Sequence, residues 1–351
     1  MIDLNMIKRP RIPIWIPLVI ALLLGGLWGI MGGSVFLGPR DIYRALLFFL
    51  HGEGDGTVSL ILFDIRLPRI FLAMAVGASL AVSGAAFQGF FRNSLADPYV
   101  IGASSGAALG AALAIVTGFR VPALVSAAGI SPAALCAFAG SLAAVFLAFT
   151  ISRSAGNPPP AAALLLAGTS LGAFFSALLS LILVLKDRDL HRVYYWLLGS
   201  LGNSSWAELS AALPVMAAGS LIIFLSGRPL DLLLQGEEEA ESLGVDVKKA
   251  RIIIALGASL ATAAAVASAG IIGFVGLIAP HGVRMFTGPS HKRLLPAAAL
   301  AGALLVLLAD ILARSALPPL ELPIGIICSL AGAPFFIFLL VRLGGRPGRF
   351  I

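Results

Sequence analysis

Four glutamates fall within five positions, at Glu237, Glu238, Glu239 and Glu241, and the chain then turns basic at Lys248, Lys249 and Arg251. An acidic cluster suits the start of a short helix, where it meets the positive end of the helix dipole, and Gly244 breaks that helix a few residues on. Ala240 and Leu243, three apart, predict a small apolar patch on one side of it. Such a segment is either a solvated loop or a docking element for another protein; it has no catalytic logic. A second set is cationic. Arg66 and Arg69 bracket Leu-Pro, and Arg314 follows Asp310 by four residues. These arginines can anchor helix ends, pair locally as Arg314 and Asp310 would on one helix face, or dock an acidic partner.

Reactive constellations are missing. His51, His191, His281 and His291 are scattered, and the chain holds no HExxH or phosphate-binding loop. Cys136 and Cys328 each lie in an apolar run with no CxxC, which predicts small buried hydrophobes. No covalent chemistry, ATP hydrolysis, metal site or cofactor is expected of this chain.

The elements that position these groups are apolar. Of 351 residues 59% are hydrophobic and 12% charged, against about 25% charged in an ordinary soluble domain; the mean hydropathy is +1.00. A bilayer-spanning helix needs roughly 20 apolar residues. Uncharged runs at Ile12–Pro39, Ile70–Phe91, Pro98–Phe119, Val121–Ser152, Ser154–Leu185, Leu209–Gly227 and Leu322–Val341 supply that, with a shorter one at Leu294–Ala309. Ile252–Val283, interrupted by His281 alone, reads as two spans divided by Gly270, Gly273 and Gly276. The runs are apolar on all sides, unlike barrel strands, so the fold class is an all-α integral membrane protein with about ten transmembrane helices. The first run is too long for a signal-peptide core and lacks a cleavage site, so it reads as a retained helix.

Lys8, Arg9 and Arg11 precede the first span, and Arg342, Arg346 and Arg349 follow the last. The positive-inside rule places both termini in the cytoplasm, and ten alternating spans then leave the majority of the 24 Lys and Arg on that side. Segment 228–250 reads as cytoplasmic, and residues 1–351 read as a single transmembrane domain. The +7 net charge follows from this bias, and no compact basic domain suggests nucleic acid. Asp97-Pro98, Ser131-Pro132, the Ser205–Glu208 capping box and Asn157 before Pro158, Pro159 and Pro160 mark helix starts. Gly77-Ala-Ser-Leu-Ala81 recurs as Gly257-Ala-Ser-Leu-Ala261 on helices expected to run in opposite directions, the pattern of an inverted repeat.

Motifs in order along the chain resemble the FecCD family of permeases. They are Arg66-Leu-Pro-Arg69, Gly84-Ala-Ala-Phe-Gln88 through Asn93-Ser-Leu-Ala-Asp97-Pro98, Gly102-Ala-Ser-Ser-Gly106 and Leu166-Ala-Gly168. Gly236-Glu237 with Ala240 and Leu243-Gly244, Gly273 through Pro280-His281, His291 through Pro296, Leu308-Ala-Asp310 with Ala313-Arg314, and Glu321 through Phe335 complete the set. The similarity runs from about residue 15 to 343.

The resemblance implies a BtuC-like ABC importer permease fold, working as a dimer of permease subunits with two cytosolic ABC ATPase subunits and an extracytoplasmic substrate-binding protein. It implies import of an iron-siderophore complex, haem or cobalamin by alternating access. Glu237, Ala240, Leu243 and Gly244 match the ATPase coupling helix. Arg66, Arg69 and Arg314 match external arginines that dock the binding protein, and Gly168, Thr169, Gly172 and Ser176 match the fifth helix, which lines the translocation path. Cobalamin importers of the family carry hydroxyl residues at the cytoplasmic entrance of that helix, where Ala161 and Ala162 stand here. The alternative of a different class, an ion-coupled secondary transporter, requires mid-membrane carboxylates, of which the sequence offers few. An intramembrane enzyme requires a buried catalytic constellation, which four scattered histidines do not supply.

Overall fold

The computed structural model describes residues 14–33, 35–51, 56–156 and 159–343. Lys8, Arg9, Arg11, Asn157, Pro158, Arg346 and Arg349, on which sequence expectations fall, lie outside these described residues. The helices in chain order are α1 (Trp15–Met31), α2 (Pro39–His51), α3 (Gly56–Ser59), α4 (Leu67–Phe90), α5 (Ala103–Thr117), α6 (Ala123–Ala127), α7 (Pro132–Ser152) and α8 (Ala161–Leu185). There follow α9 (Leu190–Leu197), α10 (Trp206–Leu225), α11 (Gly227–Leu233), α12 (Glu237–Ser242), α13 (Val247–Ala269), α14 (Val275–Thr287), α15 (His291–Ser315) and α16 (Ile324–Leu343).

Ten of these answer to the expected spans. Gly56–Phe90, Pro132–Ala155, Ala161–Leu185, Trp206–Leu225, Val247–Ala269 and His291–Ser315 are long and apolar enough to cross a bilayer. Trp15–Met31, Ala103–Thr117 and Ile324–Phe338 are shorter apolar helices, and α14, 13 residues long, stands where the remaining span was expected. The long run from Ile252 divides as its glycines predicted: α13 stops at Gly270, whose φ of +71° suits glycine, and α14 starts after Phe274.

The second span is longer than expected. It begins at Gly56 rather than near Ile70 and passes through a π-helical turn, Leu60–Arg66. Pro68 has no N–H, and its ring would clash with the carbonyl four residues back. The Leu67 amide bonds the Leu62 carbonyl, five residues back, and this widened turn lets the helix continue through the proline. Arg66 and Arg69 therefore lie within a long helix rather than at its mouth. Four further helices, α2, α6, α9 and α11, were not anticipated. α2 and α9 present Tyr43, Phe49, Tyr194 and Tyr195 outward, the amphipathic pattern of helices lying at a membrane interface.

The spans alternate in direction between two faces. At one, the arginine face, Arg69 near the start of α4 meets Asp310 near the end of α15, and Arg314 reaches the Gly29 carbonyl at the end of α1. The Trp206 indole at the start of α10 donates to the Phe63 carbonyl at 2.8 Å, and the Ile324 amide opening α16 bonds the Gly199 carbonyl at 3.0 Å. At the other, the α12 face, Arg251 in the first turns of α13 meets Pro159, just ahead of α8, and Asp231 of α11 meets His291 at the start of α15. Trp15 of α1 packs on the same core cluster as Phe90, Leu230 and Ala240. So α1 begins at the α12 face, and α16, about 30 Å long at 1.5 Å per residue, returns to it.

Glycines set the closest helix crossings. Lipid tails supply no hydrophobic force between helices, so close van der Waals contact must hold them. A Cβ on Gly77 of α4 would lie 2.1 Å from the Gly302 carbonyl oxygen of α15, and one on Gly219 of α10 would lie 2.7 Å from that of Gly257 of α13. The two copies of the Gly-Ala-Ser-Leu-Ala repeat thus sit on oppositely directed helices, and each uses its glycine to seat a partner helix.

Candidate functional site

The arginine face is built around the end of α1. The last carbonyls of a helix have no helical N–H to accept. Arg314 Nη2 donates to the Gly29 carbonyl at 2.7 Å, and Arg66 donates through Nη1 to Ile30 and Met31 and through Nη2 to Val35. Arg69 donates from Nε to Asp310 Oδ1 at 2.8 Å and from Nη1 to Glu321 Oε2 at 2.9 Å. The local pair expected from spacing is present too, with Arg314 Nε 3.4 Å from Asp310 Oδ2. Asp310 is fully buried, and Arg66, Arg69 and Arg314 expose 5% of their surface or less. Their guanidiniums are engaged within the chain, and Glu321, with 45% of its side chain exposed, carries the cluster to the surface.

At the α12 face the acidic helix forms as predicted, from Glu237 to Ser242, and Gly244 turns the chain at φ +83°. Its apolar patch differs from expectation: Ala240 is buried, whereas Leu243, which caps the helix, is more than half exposed. The helix ends before Leu243, so the spacing of three no longer puts both residues on one side. Asp246 opens α13 by accepting from the Lys249 amide at 2.9 Å; that bond and the Lys249 side chain hold its carboxyl below the usual range. Glu237 pairs with Arg251 Nη2, and Arg92 Nη2 stands 3.7 Å from the same carboxylate oxygen. Asp231 accepts from the His291 amide at 2.7 Å and from Ser290 Oγ at 3.1 Å, and its Oδ1 lies 2.6 Å from His291 Nδ1. Burial disfavours the charged Asp231, but the bonds from His291 and Ser290 outweigh it and hold the carboxyl below its ordinary value.

The motifs Gly84–Pro98 and Gly273–His281 meet where α4 packs on α14. A Cβ on Gly84 would lie 1.9 Å from the Gly276 carbonyl oxygen, and one on Gly276 would lie 2.5 Å from Pro98. Gln88 donates to the Gly276 carbonyl at 3.2 Å and accepts from Arg284 at 2.7 Å, while the Tyr99 hydroxyl donates to the Ile272 carbonyl at 3.0 Å. These contacts tie the α4–α5 loop to the break between α13 and α14.

Almost none of α8 is covered by the rest of the chain. Its expected path residues divide. Thr169 and Ser176, two turns apart, are exposed or half-buried on the open side; Gly172 is half-buried; Gly168 is buried, and a Cβ there would lie 2.6 Å from Ile101 Cα. Gly168 therefore serves packing against the α4–α5 loop, and Thr169 and Ser176 mark the open face. A cavity of about 590 Å³ lies elsewhere, between Ser131, Arg192, Trp196, Glu208 and Gly270, and shares no lining with these residues.

The sequence alone does not pair Arg251 with Glu237, Asp231 with His291, or Arg284 with Gln88. A charged residue at the edge of an apolar run is the available signal, and it names no partner, because the partners lie 14, 60 and 196 residues away.

An all-α bundle with a buried charge cluster at one face, a short acidic helix at the other and a bare apolar helix between them defines a multi-pass membrane permease. The chain belongs to the FecCD transport family, which matches residues 19–342. It is 47% identical over 284 residues to the cobalamin import system permease protein BtuC of Halobacterium salinarum, covering 81% of this chain and 74% of that one. It is 44% identical over 281 residues to the hemin transport system permease protein HmuU of Yersinia pestis, covering 80% and 82%. A metal-chelate type ABC transporter solved in an inward-facing conformation superposes with a TM-score of 0.78 at 33% identity, covering 94% of this chain and 99% of that one. The fold is that of BtuC-like permeases, and the protein is a multi-pass transport protein of the plasma (inner) membrane.

Proposed function

We propose that this chain is the permease subunit of a binding-protein-dependent ABC importer that carries a bulky metal chelate into the cytoplasm. Two copies enclose the path, a cytosolic ATPase docks on each α12, and a binding protein delivers cargo at the arginine face. The observation that carries this is α12: an acidic helix held by Arg251 to the base of α13, on the face where α1 begins and α16 returns. That face is the cytoplasmic one if the basic flanks obey the positive-inside rule. The uncovered face of α8 supports a second copy, since Thr169 and Ser176 then line a path between subunits.

An ion-coupled transporter has less support, because the deeply buried carboxylate Asp310 is already held by Arg69 and Arg314. The arginines bear on docking through the surface they build, with Glu321 and the loop after α15, since all three guanidiniums are buried and bonded within the chain. The relatives' cargoes span cobalamin and hemin; Ala161 and Ala162 lean slightly against cobalamin, and an iron-siderophore complex leads as the commonest cargo of the family. The test is uptake in proteoliposomes holding the permease, its ATPase and its binding protein, with labelled ferric siderophore, haem and cobalamin. ATP-dependent uptake of one names the cargo; uptake driven by a proton or sodium gradient alone overturns the importer.

A further inference from the structure

Arg251 has a position that docking of α12 does not by itself require. It exposes 5% of its surface, and its two terminal nitrogens serve two different elements. Nη2 donates to Glu237, the first residue of α12, and Nη1 donates to the Pro159 carbonyl at 3.0 Å, two residues before α8 begins. The guanidinium carbon stands 5.5 Å from the Phe90 ring centroid at the end of α4, a cation–π contact that fixes the plane of the fork. A planar guanidinium presents its donors at fixed separation, so two acceptors bound to it move together; a lysine ammonium is a point charge on a flexible stem and imposes no such spacing.

We infer that Arg251 is the positioning residue through which displacement of α12 is passed to the entrance of α8, given the ATPase-docking role proposed for α12. The bridge is short: Glu237 carboxylate, Arg251 fork, Pro159 carbonyl, then Ala161. A shift of α12 by an ångström or two drags the fork, and the fork draws the segment that sets where α8 starts. Shifts of about 1–2 Å at helix interfaces are the ordinary currency of such switching.

The test reads α8 directly and needs no cargo. In a background with Cys136→Ala and Cys328→Ala, Ala162→Cys places a thiol in the exposed first turn of α8. Its alkylation by a water-soluble maleimide is followed in the reconstituted permease–ATPase complex, without nucleotide and with ATP. With Arg251 intact, ATP changes the labelling rate about tenfold, within the usual range of coupling between sites. In Arg251→Gln, read in complexes whose ATP hydrolysis is measured alongside, the nucleotide response of the introduced thiol collapses by more than hydrolysis falls, and Arg251→Lys restores only part of it. A merely structural arginine would lower the melting temperature and leave that response in place. Should Arg251→Gln fail to fold, Glu237→Ala cuts the same bridge at its half-exposed end. A full nucleotide response in either folded variant overturns the inference. Failure of the ATPase to bind the unaltered permease would instead overturn the role proposed for α12.

Discussion

Arg69 Nε and Asp310 Oδ1 meet at 2.8 Å although 241 residues separate them, and the same aspartate lies 3.4 Å from Arg314. One carboxylate thereby balances two guanidiniums that in turn hold the Glu321 segment and the end of α1. Removing one member of a buried pair strands the others as uncompensated charge, at a cost of roughly 3–5 kcal/mol. Asp310→Asn is expected to lose about that much, read as a large fall in melting temperature of the detergent-solubilised permease. Glu321→Gln, at a half-exposed carboxylate, is expected to cost about 1 kcal/mol or less. Equal losses in the two variants would contradict this ranking.

Docking at the same face calls for a different comparison. Arg66→Glu sets a carboxylate against the carbonyls of Ile30, Met31 and Val35, so the end of α1 and the chain beyond it must reorganise. The expected result is weakened binding of the substrate-binding protein with ATPase assembly unchanged. Arg66→Gln keeps amide donors for those carbonyls and is expected to lose less. Surface-plasmon binding of the binding protein to nanodisc-held permease measures both.

Close packing of α4 on α14 yields a sharp contrast between two glycines, one on each helix. Gly84→Ala would put a methyl 1.9 Å from the Gly276 carbonyl oxygen, and forcing the helices apart costs roughly 1–3 kcal/mol or more. Gly282 of α14 has nothing within 4 Å of the position a Cβ would take. Gly282→Ala is therefore expected to be neutral or to stabilise by up to about 1 kcal/mol through helix propensity. Thermal unfolding of the two variants side by side checks it.

These cases show what was legible before the structure. Length and apolarity are local properties, so the spans at Ala161–Leu185 and His291–Ser315, the break at Gly270 and the helix start at Glu237 could be read directly. Burial of charge is not local. Arg251 looks like any basic flank until Pro159 and Glu237 fold against it, and Arg66 looks interfacial until the helix is seen to run back to Gly56 through a π-turn. Gly168 and Thr169 are neighbours in one small-residue patch, and only the α4–α5 loop distinguishes packing from path.

The His291–Asp231 contact predicts an acid limb in stability. Asp231 lies on α11, outside the spans, and its folded pKa is depressed below the ordinary 3.8. A depressed carboxylate contributes stability that is present above its unfolded value and is lost as pH falls through the folded one. The protein should therefore keep this contribution at pH 5 and lose it below about 3.8. Asp231→Asn is expected to flatten that limb; hydrogen exchange at the start of α15, compared at pH 5 and pH 3.5, would reveal it. An unaltered pH profile in the variant would assign the limb to other carboxylates.

The open face of α8 makes the dimer testable residue by residue. Thr169 and Ser176 lie on that face seven residues apart, nearly two full turns, so they share one side of the helix. If a second copy faces α8, Thr169→Cys or Ser176→Cys in a background without Cys136 and Cys328 should cross-link into a dimer under mild oxidation or with a short bis-maleimide. Gly168→Cys should not, because its side chain would have to enter the space held by Ile101. Random collision would link any exposed position, so Phe174→Cys, exposed on another side of α8, is the control and should stay monomeric. Cross-linking at 169 and 176 without cross-linking at 174 would support α8 as the inter-subunit wall of the path. Monomer at 169 and 176 alike would instead leave α8 facing lipid and remove the paired-permease arrangement from the proposed importer.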